Sequence, residues 1–191
     1  MLFLSTQFHD KNLFSVRTGG KIGVVNKPII NPNNLHIDAF ECTDFRNNIL
    51  ILLDIHIRDF SPKGIIIDDP SDLSEEEDLI RLKPIITLNY SLVGKVVVSG
   101  NKKVGKVVDY TSDKDSLFIQ KLYVNPPVWS AISKPQIIVD RQSVIEITDS
   151  KIVINGPEER NYVSEGNSAT AIGWSAKDCL IRSYEKPWRI R

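Results

Sequence analysis

The sequence predicts an all-β protein of two tandem small modules of one fold, joined by a short acidic helical linker and followed by a C-terminal extension. Three observations carry this reading. β-Branched runs bounded by Gly, Asn, Ser and Asp recur along the chain, as short strands joined by tight turns do. A whole stretch of that pattern repeats without a gap at an offset of 82 residues, from Gly23 to Gly105. Beyond Gly156 nothing repeats what came before.

Residues 92–109, LVGKVVVSGNKKVGKVVD, display the unit most clearly. Val96-Val97-Val98 and the valine-rich run 104–108 flank Ser99-Gly100-Asn101-Lys102-Lys103, which predicts a hairpin. Gly100-Asn101 supplies the positive φ such a turn demands, and Gly105 inside the second strand marks a bulge or a close backbone contact. A second turn at Ser112-Asp113-Lys114-Asp115 leads to Leu117, Ile119, Leu122 and Val124, whose alternation gives a third strand with one buried face.

The same pattern comes earlier in the chain. Lys21-Ile22-Gly23-Val24-Val25 falls on Lys103-Val104-Gly105-Lys106-Val107, Leu35 on Leu117, Ile37 on Ile119, Phe40 on Leu122 and Cys42 on Val124. The turn Asn31-Pro32-Asn33-Asn34 falls on Asp113-Lys114-Asp115-Ser116. A period of 82 residues is longer than those of solenoids and propellers, so two tandem domains are expected. Their spans are 1–82, linker included, and 83–157, with the extension at 158–191.

In the first module, Phe14-Ser15-Val16, the turn Thr18-Gly19-Gly20, the apolar run Asn48-Ile49-Leu50-Ile51-Leu52-Leu53 and Ile65-Ile66-Ile67 continue the strand signal. Arg58-Asp59-Phe60-Ser61 aligns with Asp140-Arg141-Gln142-Ser143, with about one residue of slippage beyond. In the acidic stretch that follows, Ser74 and Glu77 have capping-box spacing for a solvated linker helix that Leu79, Ile80 and Leu82 dock and Lys83-Pro84 ends. Its carboxylates lack the ligand order of a calcium loop.

Gly94-Lys95-Val96-Val97, Lys103-Val104-Gly105-Lys106-Val107-Val108-Asp109 and the run Ile138-Val139-Asp140-Arg141-Gln142-Ser143-Val144-Ile145-Glu146-Ile147 resemble the PRC-barrel family. This small β-barrel occurs in the H subunit of photosynthetic reaction centres and at the C-terminal end of the ribosome-maturation factor RimM. The second module resembles it over 92–154 and the first, more loosely, over 13–67. The resemblance implies tandem PRC-type barrels making protein contacts from their surfaces. The separate N-terminal domain of RimM has no counterpart here.

Basic and acidic residues balance at 24 each, so no overall field attracts nucleic acid or an anionic membrane. Met1-Leu2-Phe3-Leu4 is too short for a signal-peptide core and no segment reaches membrane-span length, so a cytoplasmic protein is expected. Cys42 and Cys179 make no disulfide framework, and Cys42, aligned with Val124, reads as a buried small hydrophobe. Modules this small bury little core alone, so each is expected to pack on the other or on a second subunit, as in a homo-oligomer.

No catalytic, cofactor or metal site is read from the chain. Gly100-Asn101-Lys102-Lys103-Val104-Gly105-Lys106 meets the first seven positions of a phosphate-binding loop, but Val107 stands where Ser or Thr holds magnesium and continues a strand. His9, His36 and His56 are far apart, and His36, between core positions Leu35 and Ile37, is expected to face the surface. No Gly-x-Ser-x-Gly elbow occurs.

The expected function is therefore a non-catalytic binding or scaffold protein with a protein partner. Candidate contact residues are Asn125, Pro126, Pro127 and Trp129, an extended loop in the second module alone, with Trp174 and Trp188 in the basic, aromatic extension. Trp129 either docks a partner or caps its own barrel; the extension either binds a partner, RNA or a membrane surface, or folds back. The rival function is an RNA-linked accessory, in ribosome maturation or RNA processing, using Lys95, Lys102, Lys103 and Lys106 with Arg182, Arg189 and Arg191 of the extension.

Overall fold

A computed structural model of the protein describes residues 1–127 and 136–156. They form two curled, half-barrel sheets of seven strands each. The first holds β2 (Lys11–Ser15), β3 (Gly20–Asn31), β4 (His36–Asp44), β5 (Ile49–Leu53), β6 (Ile57–Ser61), β7 (Gly64–Ile67) and β8 (Leu73–Ser74), in the order β6-β7-β2-β3-β4-β5-β8. The second holds β9 (Val96–Ser99), β10 (Lys102–Asp113), β11 (Ile119–Asn125), β12 (Ile137–Asp140), β13 (Val144–Ile147) and β14 (Lys151–Ile154), in the order β13-β14-β9-β10-β11-β12. The opening strand β1 (Leu2–Leu4) crosses over to pair with β10.

The 82-residue repeat is a repeat of strand order, register and irregularity. β3 and β10 are both twelve residues long, and in each sheet one pair is parallel, β2 with β7 and β9 with β14. The register slips between Val25 and Lys27 and between Ile29 and Ile30 in β3, and at the matching Val107/Asp109 and Thr111/Ser112 in β10. Glycine at Gly23 and Gly105 has a steric cause: a Cβ would lie 2.5 Å from the Thr43 carbonyl oxygen and 2.1 Å from that of Asn125. The two oxygens are themselves counterparts. In the hairpin turn of the second module, Gly100 takes the left-handed conformation at φ +56°.

Past β11 the offset changes. Cys42 pairs with Leu50 but Val124 with Ile137, so the β11–β12 connection is five residues longer than that of β4–β5. The sequence alignment, which allowed about one residue of slippage, is corrected accordingly: Asp59 and Phe60 share the register of Glu146 and Ile147, not of Arg141 and Gln142.

The acidic stretch is not one helix. It makes two 3-10 turns, Pro70–Asp72 and Glu76–Asp78, separated by β8, in which Ser74 pairs with Ile51. The reciprocal cap lies upstream of the predicted one: Asp69 accepts the Ser71 N–H at 2.9 Å and Asp72 accepts the Asp69 N–H at 3.0 Å. The α-helix, α1 (Lys83–Leu88), begins where the sequence predicts an end. Pro84 sits in its first turn, where a missing N–H costs nothing and the fixed φ is already helical.

Both sheets contribute to one apolar core. It joins Leu13, Val25, Ile37, Phe40, Leu52 and Ile65 of the first to Val97, Val107, Ile119, Leu122, Val124 and Ile152 of the second, and each large aliphatic contributes about 1.5–3 kcal/mol. Phe3, Phe8, Phe40 and Phe60 cluster at one end with ring centroids 5.6–6.2 Å apart. A satellite cluster packs Leu79, Leu82, Ile85 and Ile86 over Ile29, Ala39 and Ile51. Cys42 is buried, as its alignment with Val124 implies. Among the described residues no helix is long and apolar enough to cross a membrane.

Two predictions follow from this packing. Gly105→Ala forces backbone apart across a bulge and lowers the unfolding free energy by about 1–3 kcal/mol, whereas Gly20→Ala, with open space at its Cβ, changes it little; urea unfolding of both variants checks this. Burial, with the charge of Glu41 second, pushes the Cys42 thiol from 9.0 up to about 12, and burial with Asp109 pushes the Tyr110 phenol well above 10.0. The native state keeps protons that the unfolded chain releases. Stability is therefore fully present below pH 9.0 and falls as pH rises above it, by up to about 1.4 kcal/mol per pH unit per group, read as a falling urea midpoint.

Candidate functional site at the seam between the sheets

The sheets meet through the residues that follow two matching turns. The Asn31 carbonyl accepts the Leu35 N–H and the Asp113 carbonyl accepts the Leu117 N–H, each at 2.9 Å, placing both leucines in the left-handed region at φ +57° and +53°. Bulky residues seldom adopt it, and the cost is about 1–2 kcal/mol each. The turn redirects the next residues across the seam: Ile37 N–H donates to the Leu117 carbonyl at 3.1 Å, and Ile119 N–H donates to the Leu35 carbonyl at 2.8 Å. Between them His36 and Phe118, counterparts at 82 residues, form an antiparallel bridge. A residue that pairs with its own counterpart lies on an approximate two-fold axis, the geometry of an isologous interface within one chain.

The rings at this axis carry different chemistry on each side. His36 packs edge-on against Phe118 at 4.6 Å, with Nδ1 2.6 Å from Asp38 and Nε2 3.8 Å from Asp54. Its predicted surface position is thus corrected: the bridge draws the ring into the seam, half-buried. Beyond Phe118, the Arg141 guanidinium stacks on the ring at 4.2 Å. Arg141 stands at the register of Asp54 and makes no ion pair with a described residue.

An approximate two-fold generates two equivalent corners, where the turn of one module faces the outermost strand of the other. One is closed. Lys114 reaches Asp59 of β6 at 2.6 Å, its hydrogen bond holding that carboxyl below the ordinary range, and Phe3 of β1 covers Phe60 at 5.7 Å. The other corner is a cleft of about 550 Å³, bounded by Pro32, Asn33, Asn34 and Leu35 on one wall and by Arg141, Val144, Ile145, Glu146 and Ile147 on the other. Here Pro32 occupies the position of Lys114, and Glu146 that of Asp59. β13, which supplies most of the second wall, pairs only with β14 among the described strands, leaving one edge of backbone N–H and C=O groups unpaired. Ile145 on that strand is 65% exposed.

Of the residues singled out from sequence, the described ones lie elsewhere. Asn125 ends β11, exposed, with its side chain accepting from Gln136 at 3.2 Å; Pro126 and Pro127 are half-buried beside it, and none of the three lines the cleft. Trp129, Trp174 and Trp188 fall outside the described residues. Lys95 is tied to the Asp149 carbonyl and lies over the Tyr90 ring, whereas Lys102, Lys103 and Lys106 are exposed. Among the described residues no three His, Cys, Asp or Glu groups gather to hold a metal ion. The cleft went unread because its signal is a difference between repeats, Pro32 for Lys114 and Glu146 for Asp59, and the second difference is visible only at the corrected register.

No family model and no curated protein matches this chain.

Phe118→Ala removes the ring that both His36 and Arg141 use. Half-buried, the ring is worth about 2 kcal/mol, roughly half the cost of a fully buried phenylalanine. The expected signature is local: hydrogen exchange at the Ile37 and Ile119 amides accelerates more than at Val25, inside the first sheet.

Proposed function

We propose that this protein is a non-catalytic binding or scaffold module built from two PRC-barrel-like units, holding a partner protein in the seam cleft. The observation that carries the reading is the open corner itself. A free strand edge, an exposed Ile145, an apolar floor of Leu35, Val144 and Ile147 and a stacked Arg141 lie together in one concave surface. Strand edges bind extended peptides through main-chain hydrogen bonds, with side-chain pockets adding selectivity. Apolar anchors and stacked arginine within a polar rim are the composition of protein contacts. The shared core supports a rigid frame for such a surface, and the matching strand orders support descent of both units from one barrel type.

The test is affinity capture from lysate with the intact chain and with Ile145→Asp, each repeated with nuclease and at raised salt. A protein that survives nuclease and salt with the parent chain, and is lost with Ile145→Asp, is the expected result. Capture of RNA that disappears on either treatment, unaffected by Ile145→Asp, would instead favour the RNA-linked reading, since phosphate contacts weaken steeply with ionic strength.

A further inference from the structure

The closed corner is a template for what fills the open one. In the closed corner a lysine presented by the facing turn meets a carboxylate on the outermost strand, and a phenylalanine from β1 packs on the next residue, Phe60. In the open corner the strand side of that arrangement is present, with Glu146 at the carboxylate position and Ile147 at that of Phe60. The turn side is missing: Pro32 has no charge to offer, and β1 pairs with β10, its Phe3 covering Phe60 in the closed corner. The open corner thus retains a carboxylate and an apolar surface whose complements, among the described residues, lie at the other corner.

We infer that the cleft recognises a segment of a partner protein carrying a lysine or arginine next to a large aliphatic or aromatic residue. The cation pairs with Glu146 as Lys114 pairs with Asp59, and the apolar side chain covers Ile147 as Phe3 covers Phe60. The segment lies extended along the free edge of β13, where Ile145 gives it a second apolar contact. Arg141, which also lines this wall, disfavours a second cation beside it. This specificity rests on the seam cleft being the partner site.

The probe is a pool of labelled ten-residue synthetic peptides with lysine or arginine beside a leucine or phenylalanine, compared with the same pool carrying glutamate instead of the basic residue. Anisotropy is read with the full chain, with Glu146→Lys, with Pro32→Lys and with Pro32→Ser. Pro32→Lys supplies the missing cation from within, rebuilding the Lys114–Asp59 pair at the open corner, and so competes with the peptide without disturbing the core. The expected result is preference for the basic pool, a loss of about tenfold or more with both lysine variants, and binding retained with Pro32→Ser. Equal binding of the two pools, indifference to Glu146→Lys, or equal loss with Pro32→Lys and Pro32→Ser would overturn the inference. If capture of a partner from lysate still depends on Ile145 while these peptide results fail, the assigned chemistry falls and the cleft remains the binding site.

Discussion

The two hydrogen bonds that cross the seam, Ile37 to Leu117 and Ile119 to Leu35, are the constraint on which the rest of the molecule depends. Each sheet is a half-barrel with its apolar face open to one side, too small to bury a sufficient core alone. Pairing β4 with the start of β11 brings those faces together, so that buried residues of both sheets form one cluster. The left-handed leucines, Leu35 and Leu117, make this pairing possible by turning the chain out of its own sheet at the right residue. Their backbone cost of about 1–2 kcal/mol each is offset by burial of the leucine side chains themselves, both nearly inaccessible to solvent.

Duplication with an approximate two-fold axis makes every surface feature at the seam occur twice, unless substitution removes one copy. That logic distinguishes the backbone from the side chains. Bulges, glycine contacts and strand orders match across the repeats, because each is enforced by sterics that tolerate little change: a Cβ at Gly23 or Gly105 has no room beside a carbonyl oxygen. Side chains at the corners meet no such restriction and have diverged. One corner is closed by an ion pair and an aromatic contact, the other is left as a cleft with the carboxylate in place. Duplicated frames offer this route to a binding surface, since one copy of an internal contact can be retained for stability while the other is freed for a partner.

The segments outside the repeat also divide their work across the seam. β1 belongs to the first module by sequence yet adds to β10, while α1 precedes the second module yet packs its Ile85 and Ile86 over Ile29 of β3. Each leading segment therefore covers the other sheet. Exchange of this kind ties the two halves together beyond the seam itself. The two strips differ in kind: β1 pairs with β10 at Thr111 and Ser112, whereas at the matching Ile29 and Ile30 of β3 the apolar helix covers Ile29 and Ile30 joins the main core.

The sequence by itself determined the strands, the hairpins and the repeat, because these rest on local chemistry. β-Branched alternation, turn residues and a glycine where backbone crosses backbone are all written within a few residues, and Gly105, Cys42 and the Leu117–Val124 alternation have the environments that such patterns imply. What depended on competition between distant groups was not legible. The acidic stretch has a capping-box spacing at Ser74, but the free edge of β5 takes Ser74 into a strand, so the helix starts at Lys83 instead. The five added residues before β12 carry no periodic signal, and they conceal the correspondence of Glu146 with Asp59. His36, a surface position by alternation, is drawn inward by an axis that exists only once both sheets are built. Tertiary structure alone decided the cleft, because it is made by a turn and a strand more than a hundred residues apart, and by a lysine that one of two equivalent turns lacks.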